Sequence, residues 1–311
     1  MKLNLCLFAV LIAHAAWPQD IEYPYKHDLK GAVQECSEKK FKITYAGGKV
    51  GKGDYQPDDK LGVRRFDTQG RLTGFNTHAD TVTGKYKKVT VTYDGTGCWQ
   101  KVATYHEDGR FESSHEYTCA GGRVVERVDY HYVYGDRPTD VTTFKYDNSG
   151  RLKERHHRYG DVKQGGRISP PQFLNEKFDH KYYEYDRNGY LVKWSIKREG
   201  MDPELAAMAS GFREITNDAQ GRPIAEYGLN DLAAKGGQTK KLSAETVYNA
   251  QGFIAQLVDY SSYGGLKTYY YEYTYDDHGN WITRTELIGT VRPGKVHAAP
   301  ESITEREIKY H

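Results

Sequence analysis

The feature that most constrains this chain is a short turn written nine times. An aromatic residue is followed by Asp or Asn, two polar residues and Gly. It reads Phe66-Asp67-Thr68-Gln69-Gly70, then Tyr93-Asp94 to Gly97, Tyr146-Asp147 to Gly150, Tyr185-Asp186 to Gly189, Tyr248-Asn249 to Gly252 and Tyr275-Asp276 to Gly279. Looser copies are Tyr105-His106 to Gly109, Tyr117-Thr118 to Gly121 and Asn217-Asp218 to Gly221. Eight of the nine carry the aromatic and seven carry Asp or Asn at the first turn position. That rate excludes coincidence and makes a periodic architecture the first expectation.

Each position has a physical reason. Asp or Asn at the turn's start accepts a hydrogen bond from its own backbone two residues on. The Gly three places later takes the left-handed conformation that ends a type I turn in a bulge. Counting outward pairs Tyr146 with Leu152, Tyr93 with Trp99, Tyr105 with Phe111, Tyr185 with Leu191, Tyr248 with Ile254 and Tyr275 with Trp281. Such cross-strand pairs stabilise a sheet by roughly 0.2–1 kcal/mol each. Asp67 with Arg71, Asp147 with Arg151 and Asp218 with Arg222 repeat a charge pair on the other face. Exposed pairs contribute little, so they read as register marks.

The flanks alternate as strands do: Val89, Val91 and Tyr93 share one face, Thr90 and Thr92 the other. Tyr269, Tyr271, Tyr273 and Tyr275 form one stripe, read as the cover of a half-buried face rather than a ligand platform. The aromatics are mostly Tyr, 27 against 10 Phe and 4 Trp, and Gly numbers 32, a composition of strands and turns. Most motif glycines lie 27 to 39 residues apart, so a tight end alternates with a second end. There, short connections (Gly135 to Pro138, Tyr263 to Gly265) accompany long loops at 160–179, 199–211 and 228–242. The middle loop can hold a short helix over 203–210, capped by Asp202, begun by Pro203 and stopped by Gly211. Pro223 in a strand marks an edge or a distorted pair.

The expected fold is all-β. A long antiparallel meander of hairpins over 63–311 forms a curled, extended sheet, with 16–62 as the segment leading into it. Tyr146-Asp147-Asn148-Ser149-Gly150-Arg151-Leu152 resembles the YD repeat of RHS-type bacterial secreted and surface proteins, as do Phe66 to Leu72 and Tyr275 to Trp281. The resemblance runs from about Val63 to Thr285. It implies a long antiparallel sheet that curls on itself, and links to carbohydrate and cell-surface contact.

Residues 1–15 read as a signal peptide: Lys2, an apolar run from Leu5 to Ile12, and Ala13-His14-Ala15 as the cleavage site. Export to the periplasm or beyond is expected. Cys6 precedes the apolar run and does not read as a lipoprotein cysteine, and no later segment is long and apolar enough for a membrane helix. Cys36, Cys98 and Cys119 remain in an oxidising compartment. The hairpin count sets Trp99 opposite Tyr117 and Cys98 opposite Thr118, one place from Cys119. An irregularity at Gly121-Gly122 would bring the two sulfurs together, so Cys98 and Cys119 are the candidate disulfide and Cys36 the odd thiol.

Lys and Arg total 44 against 42 Asp and Glu, which gives no electrostatic reason to expect a nucleic-acid partner. His106, His115, His131, His156 and His157 are not forced together, and the count sets His156 opposite Thr142. Metal-site, nucleophile-elbow and phosphate-loop spacings are missing. The reading assigns no catalytic residue, no metal ligand and no cofactor. The main expectation is therefore an exported, non-enzymatic β-repeat protein binding a glycan or an envelope protein through its long-loop end. Its exposed edge strands would permit a dimer. One alternative is a glycosidase-like envelope hydrolase using loop carboxylates. The other is an outer-membrane β-barrel, opposed by Lys101, Glu154 and Lys193 on the core-like face, where charges against lipid cost several kcal/mol. Lys88, His106, Lys145 and Lys153 fall on the opposite faces.

Overall fold

The computed structural model describes residues 29–46, 49–56, 62–77, 86–132, 138–160, 173–199, 211–229, 240–260, 266–292 and 295–311. The signal segment 1–15 and the helix expected over 203–210 lie outside the described residues. Nineteen strands account for most of the rest. The first six are β1 (Val33–Ala46), β2 (Lys49–Gln56), β3 (Arg64–Phe66), β4 (Leu72–Thr77), β5 (Lys87–Tyr93) and β6 (Trp99–Tyr105). Next come β7 (Phe111–Ala120), β8 (Arg123–His131), β9 (Pro138–Tyr146), β10 (Leu152–Gly160), β11 (Phe173–Tyr185), β12 (Leu191–Glu199) and β13 (Gly211–Asn217). The last six are β14 (Pro223–Leu229), β15 (Lys240–Tyr248), β16 (Ile254–Asp259), β17 (Lys267–Tyr275), β18 (Trp281–Arg292) and β19 (Lys295–Tyr310).

From β3 to β19 each strand pairs antiparallel with the next. The ring then closes through β1. On one side Cys36 faces Ile308 and Glu38 faces Arg306 of β19. On the other, Cys36 faces Arg64 and Glu35 faces Arg65 of β3. The upper half of β1 pairs instead with β2, from Lys40–Gln56 to Ala46–Lys49. Eighteen strands, β1 and β3 to β19, therefore form a closed barrel. Closure with every neighbour antiparallel requires an even number, which eighteen satisfies.

This corrects the expected fold. The sheet is neither extended nor open: β1, drawn from the stretch read as a lead-in, joins both ends and removes the ring's edges, which would otherwise expose unpaired backbone. The YD/RHS reading falls with it, because that resemblance implied a curled, extended sheet.

The turns carry the chemistry read from the sequence. At Asp67, Asp94, Asp147, Asp186, Asp218, Asn249 and Asp276 the side-chain oxygen accepts backbone N–H bonds from residues two and four further on. The closing Gly donates to the carbonyl of the turn's first residue, as Gly150 to Asp147 at 2.9 Å, with φ of +79°. The Tyr117 copy differs. β7 runs through Tyr117 to Ala120 and reverses at Gly121-Gly122, both with positive φ, a two-residue hairpin.

A second irregularity follows most of these turns. Tyr93 faces Trp99, but Thr92 faces Lys101, which leaves Gln100 as an extra residue. The same slip lies after Leu152, Leu191, Ile254 and Trp281. A one-residue slip moves every later side chain to the other face.

Curvature crowds side chains on the concave face of a closed sheet and spreads them on the convex one. Most of the buried residues, among them Val33, Cys36, Arg64, Val89, Val91, Trp99, Val102, Thr142, Phe144, Leu152, Asp179, Tyr183, Trp281, Thr304 and Arg306, lie on the face of Tyr146 and Leu152. That face is the inner wall. A circular ring of eighteen strands about 4.8 Å apart, tilted by about 40°, has a backbone radius of about 18 Å, too wide for side chains to fill.

Candidate functional site: the inner wall

The rim at the tight-turn end is built by a relay from hairpin to hairpin. Asp147 holds Arg151 at 2.7 Å. The Arg151 guanidinium lies over the Tyr185 ring at 5.0 Å. Tyr185 donates its hydroxyl to the Leu152 carbonyl at 2.8 Å, tying the next hairpin to the previous one. Arg71 with Tyr93 and Leu72, and Arg222 with Tyr248 and Pro223, repeat the arrangement. Tyr146 likewise donates to the Val124 carbonyl at 2.7 Å. These charge pairs, read as register marks, thus also carry the links between neighbours. Burial works to raise the Asp147 carboxyl pKa, but hydrogen bonds from the Arg151 backbone and side chain outweigh it and leave the pKa lowered. The same balance lowers Asp67 and Asp218.

Above the rim the inner wall is charged. Cross-strand register sets Arg127, Thr142, His157, Asp179 and Arg198 in one row over β8 to β12. Arg198 meets Asp179 at 3.0 Å, and Thr142 Oγ1 lies 2.8 Å from His157 Nδ1. The adjoining row sets His115, Asp129 and Asp140 side by side. Asp129 is held by His115 at 2.7 Å and by Arg127 at 2.9 Å, and His157 Nε2 stands 3.9 Å from Asp140. At the seam, Glu38 accepts from Arg64 at 2.5 Å and from Arg306 at 2.8 Å, and the Arg306 guanidinium sits 3.5 Å over the Trp281 ring. Charges of both signs thus stand in rows along the inner wall.

Cys98 and Cys119 form a disulfide. The irregularity responsible is not at Gly121-Gly122. The slip after Thr104 sets Lys101 opposite Glu116, and continuing that register three places sets Cys98 opposite Cys119. Cys36 is a buried free thiol, 3.4 Å from an Arg64 guanidinium nitrogen.

The bulges also relocate the charges that opposed a barrel. Lys101, Glu154 and Lys193 leave the core-like face and stand on the outer wall, paired with Glu116 at 2.8 Å, Lys145 at 3.2 Å and Glu184 at 3.3 Å. His156 faces Thr143 and His180, not Thr142. Only a count that includes the slips could have shown these placements.

The second-end loops 160–179, 199–211 and 228–242 lie largely outside the described residues. Part of the first is strand, because β11 begins at Phe173. All of these connections leave the end opposite the tight rim, as does the short turn at 106–109.

No family model and no curated protein matches this chain. Among solved structures, a porin-like protein from Bacteroides uniformis is similar at 14% identity, over 90% of this chain and 99% of that one, with a TM-score of 0.41. A porin-like protein from Bacteroides vulgatus shares 12% identity over 90% and 98% of the two chains, with a TM-score of 0.18. A structure described as TcdB2-TccC3-Cdc42 shares 12% identity over 74% of this chain and 16% of that one, with a TM-score of 0.31. Likenesses this distant carry no functional argument. The YD/RHS reading gains no support from a family model, and the barrel stands on its own pairings. Even-numbered, closed antiparallel barrels of this size are the architecture of outer-membrane proteins.

Proposed function

We propose that this protein is a hollow β-barrel of the cell envelope, of the outer-membrane type, whose charged inner wall governs the passage of small polar solutes. The observation that carries this reading is the closure of the sheet: Cys36 faces β3 on one side and β19 on the other. The wide lumen, the rows of fixed charge and the unequal ends support it. The closed ring lends no support to a repeat scaffold that binds through its loops.

A second reading rests on the outer wall. Lys101–Glu116, Lys145–Glu154 and Lys193–Glu184 stand there, with the Lys145 side chain 66% exposed. A Lys at the bilayer midplane costs about 2–4 kcal/mol in a barrel. This observation favours a barrel standing in the aqueous compartment of the envelope. Fractionation separates the two readings. The membrane barrel is extracted only by detergent and conducts ions when reconstituted in planar bilayers. Recovery in the osmotic-shock fluid, with no conductance, overturns the first reading and establishes the second.

A further inference from the structure

The inner wall carries more positive than negative charge. Five of its carboxylates are held by cations: Glu38 by Arg64 and Arg306, Glu112 by Lys87, Asp129 by Arg127, Asp179 by Arg198 and Glu226 by Arg213. Asp259 faces Lys267, and Asp140 and Glu286 share the same face. The positive side continues with Lys40, Lys42, Arg155, Lys181, Lys241 and Arg284, which register places on that face too. Asp54 of β2, at the bulge opposite Lys42, answers that lysine. Lys153 and Glu301, the extra residues at two other bulges, cancel. Thirteen cations thus stand against nine carboxylates among the described residues, an excess of four.

The excess has a focus. Arg155 and Lys181 are directly opposed across β10 and β11, and like charges so placed destabilise a sheet. Lys181 Nζ lies 4.0 Å from the Trp194 ring centroid and 5.3 Å from that of Tyr183. The next inward carboxylate on its strand, Asp179, engages Arg198 at 3.0 Å. Lys40 stands on β1, opposite Thr304. Counted round the ring of eighteen, β1 is nine strands from β11, so the two lysines flank the lumen from opposite sides.

We propose that the lumen favours anionic solutes over cationic ones, and that Lys181, with Arg155 opposite it, is a point on the wall where such a solute is met. The inference rests on the reading of the barrel as a hollow conduit, and names the charge of its solutes. An anion between Lys181 and Arg155 supplies the countercharge that two opposed cations lack in each other. Screening sets the reach of the effect. The Debye length is about 30 Å in 0.01 M salt, about 10 Å in 0.1 M and about 3 Å in 1 M. Against a backbone radius of about 18 Å, the excess charge acts across the whole lumen in dilute salt. In concentrated salt it acts only on what touches the wall.

Two measurements on the full chain test it. In planar bilayers between about 0.1 M and about 0.01 M KCl, the reversal potential should show chloride passing at least about twofold more readily than potassium. The ratio should approach one when both solutions exceed about 1 M, where screening is complete. Lys40→Glu with Lys181→Glu balances the wall and should bring the dilute-salt ratio to one, whereas Lys88→Gln on the outer wall leaves it unchanged. A parent ratio of one or less overturns the proposal and leaves the conduit standing; absence of conductance overturns the conduit. The second measurement needs no membrane. Trp194 emission, taken as the part lost in Trp194→Phe, is quenched with iodide and with caesium. The iodide-to-caesium ratio should exceed that of free N-acetyltryptophanamide at least about twofold, because Lys181 lies over the ring, and Lys181→Gln should remove the difference. A ratio equal to or below that of the free amide overturns the proposal, whether or not the protein conducts.

Discussion

Replacing Glu38 by Gln strikes the seam that closes the barrel. The Glu38 carboxylate is 10% exposed and receives Arg64 from one strand and Arg306 from another. Arg306 has a side chain only 1% exposed and is pressed against Trp281. The substituted amide keeps the volume and one acceptor oxygen but loses the charge, so two buried guanidinium groups lose the carboxylate they share. Removing one partner of a buried ion pair costs about 3–5 kcal/mol. Because all three groups lie between β1, β3 and β19, the loss should appear there first. Equilibrium unfolding followed by circular dichroism should show the destabilisation, and hydrogen exchange should show β1 and β19 losing protection before β9 to β12 do. The triple change Glu38→Met, Arg64→Met, Arg306→Leu should recover most of the stability, since apolar replacement of a whole buried network is often neutral. A Glu38→Gln loss below about 1 kcal/mol, with uniform exchange, would refute the seam.

Other consequences follow from the rim and the disulfide. Tyr146→Phe removes only the hydroxyl bond to the Val124 carbonyl and should lower stability by about 1 kcal/mol in denaturant unfolding. Reduction of Cys98–Cys119, or Cys98→Ala with Cys119→Ala, should cost about 2–4 kcal/mol, with the fold retained by far-ultraviolet dichroism. Asp67, Asp147 and Asp218 have lowered pKa values when folded. A carboxylate depressed by folding stabilises above its unfolded pKa and loses that contribution as pH falls through the folded one. Thermal midpoints should therefore hold at neutral pH and fall on acidification below the ordinary Asp range. Flat midpoints from pH 5 down to pH 2 would contradict this.

What was legible in the sequence was local. Asp147, Gly150 and Arg151 specify a turn by their own hydrogen bonds, and Tyr146 opposite Leu152 follows from it by counting. The count failed one residue later. The extra residue after each turn, such as Gln100 or Lys153, has no side-chain signature, yet it reverses the face of everything beyond it. That reversal hid the polar outer wall, the His156–His180 pair and the direct opposition of Cys98 and Cys119. Closure was illegible for a different reason. β1 carries no turn motif and falls in the stretch read as a lead-in, and Glu38 finds its partners 26 and 268 residues away. Gly121-Gly122 was visible, but the Tyr117 motif beside it drew the turn two places too early.

Cys36, paired with a strand on either side, reports on the closed ring from a single position. Proton–proton contacts measured by nuclear magnetic resonance on deuterated protein should connect the Cys36 backbone both to Arg64 and to Ile308. Contacts to only one of these, with the other strand's amides exchanging as a free edge, would mean that the sheet is open.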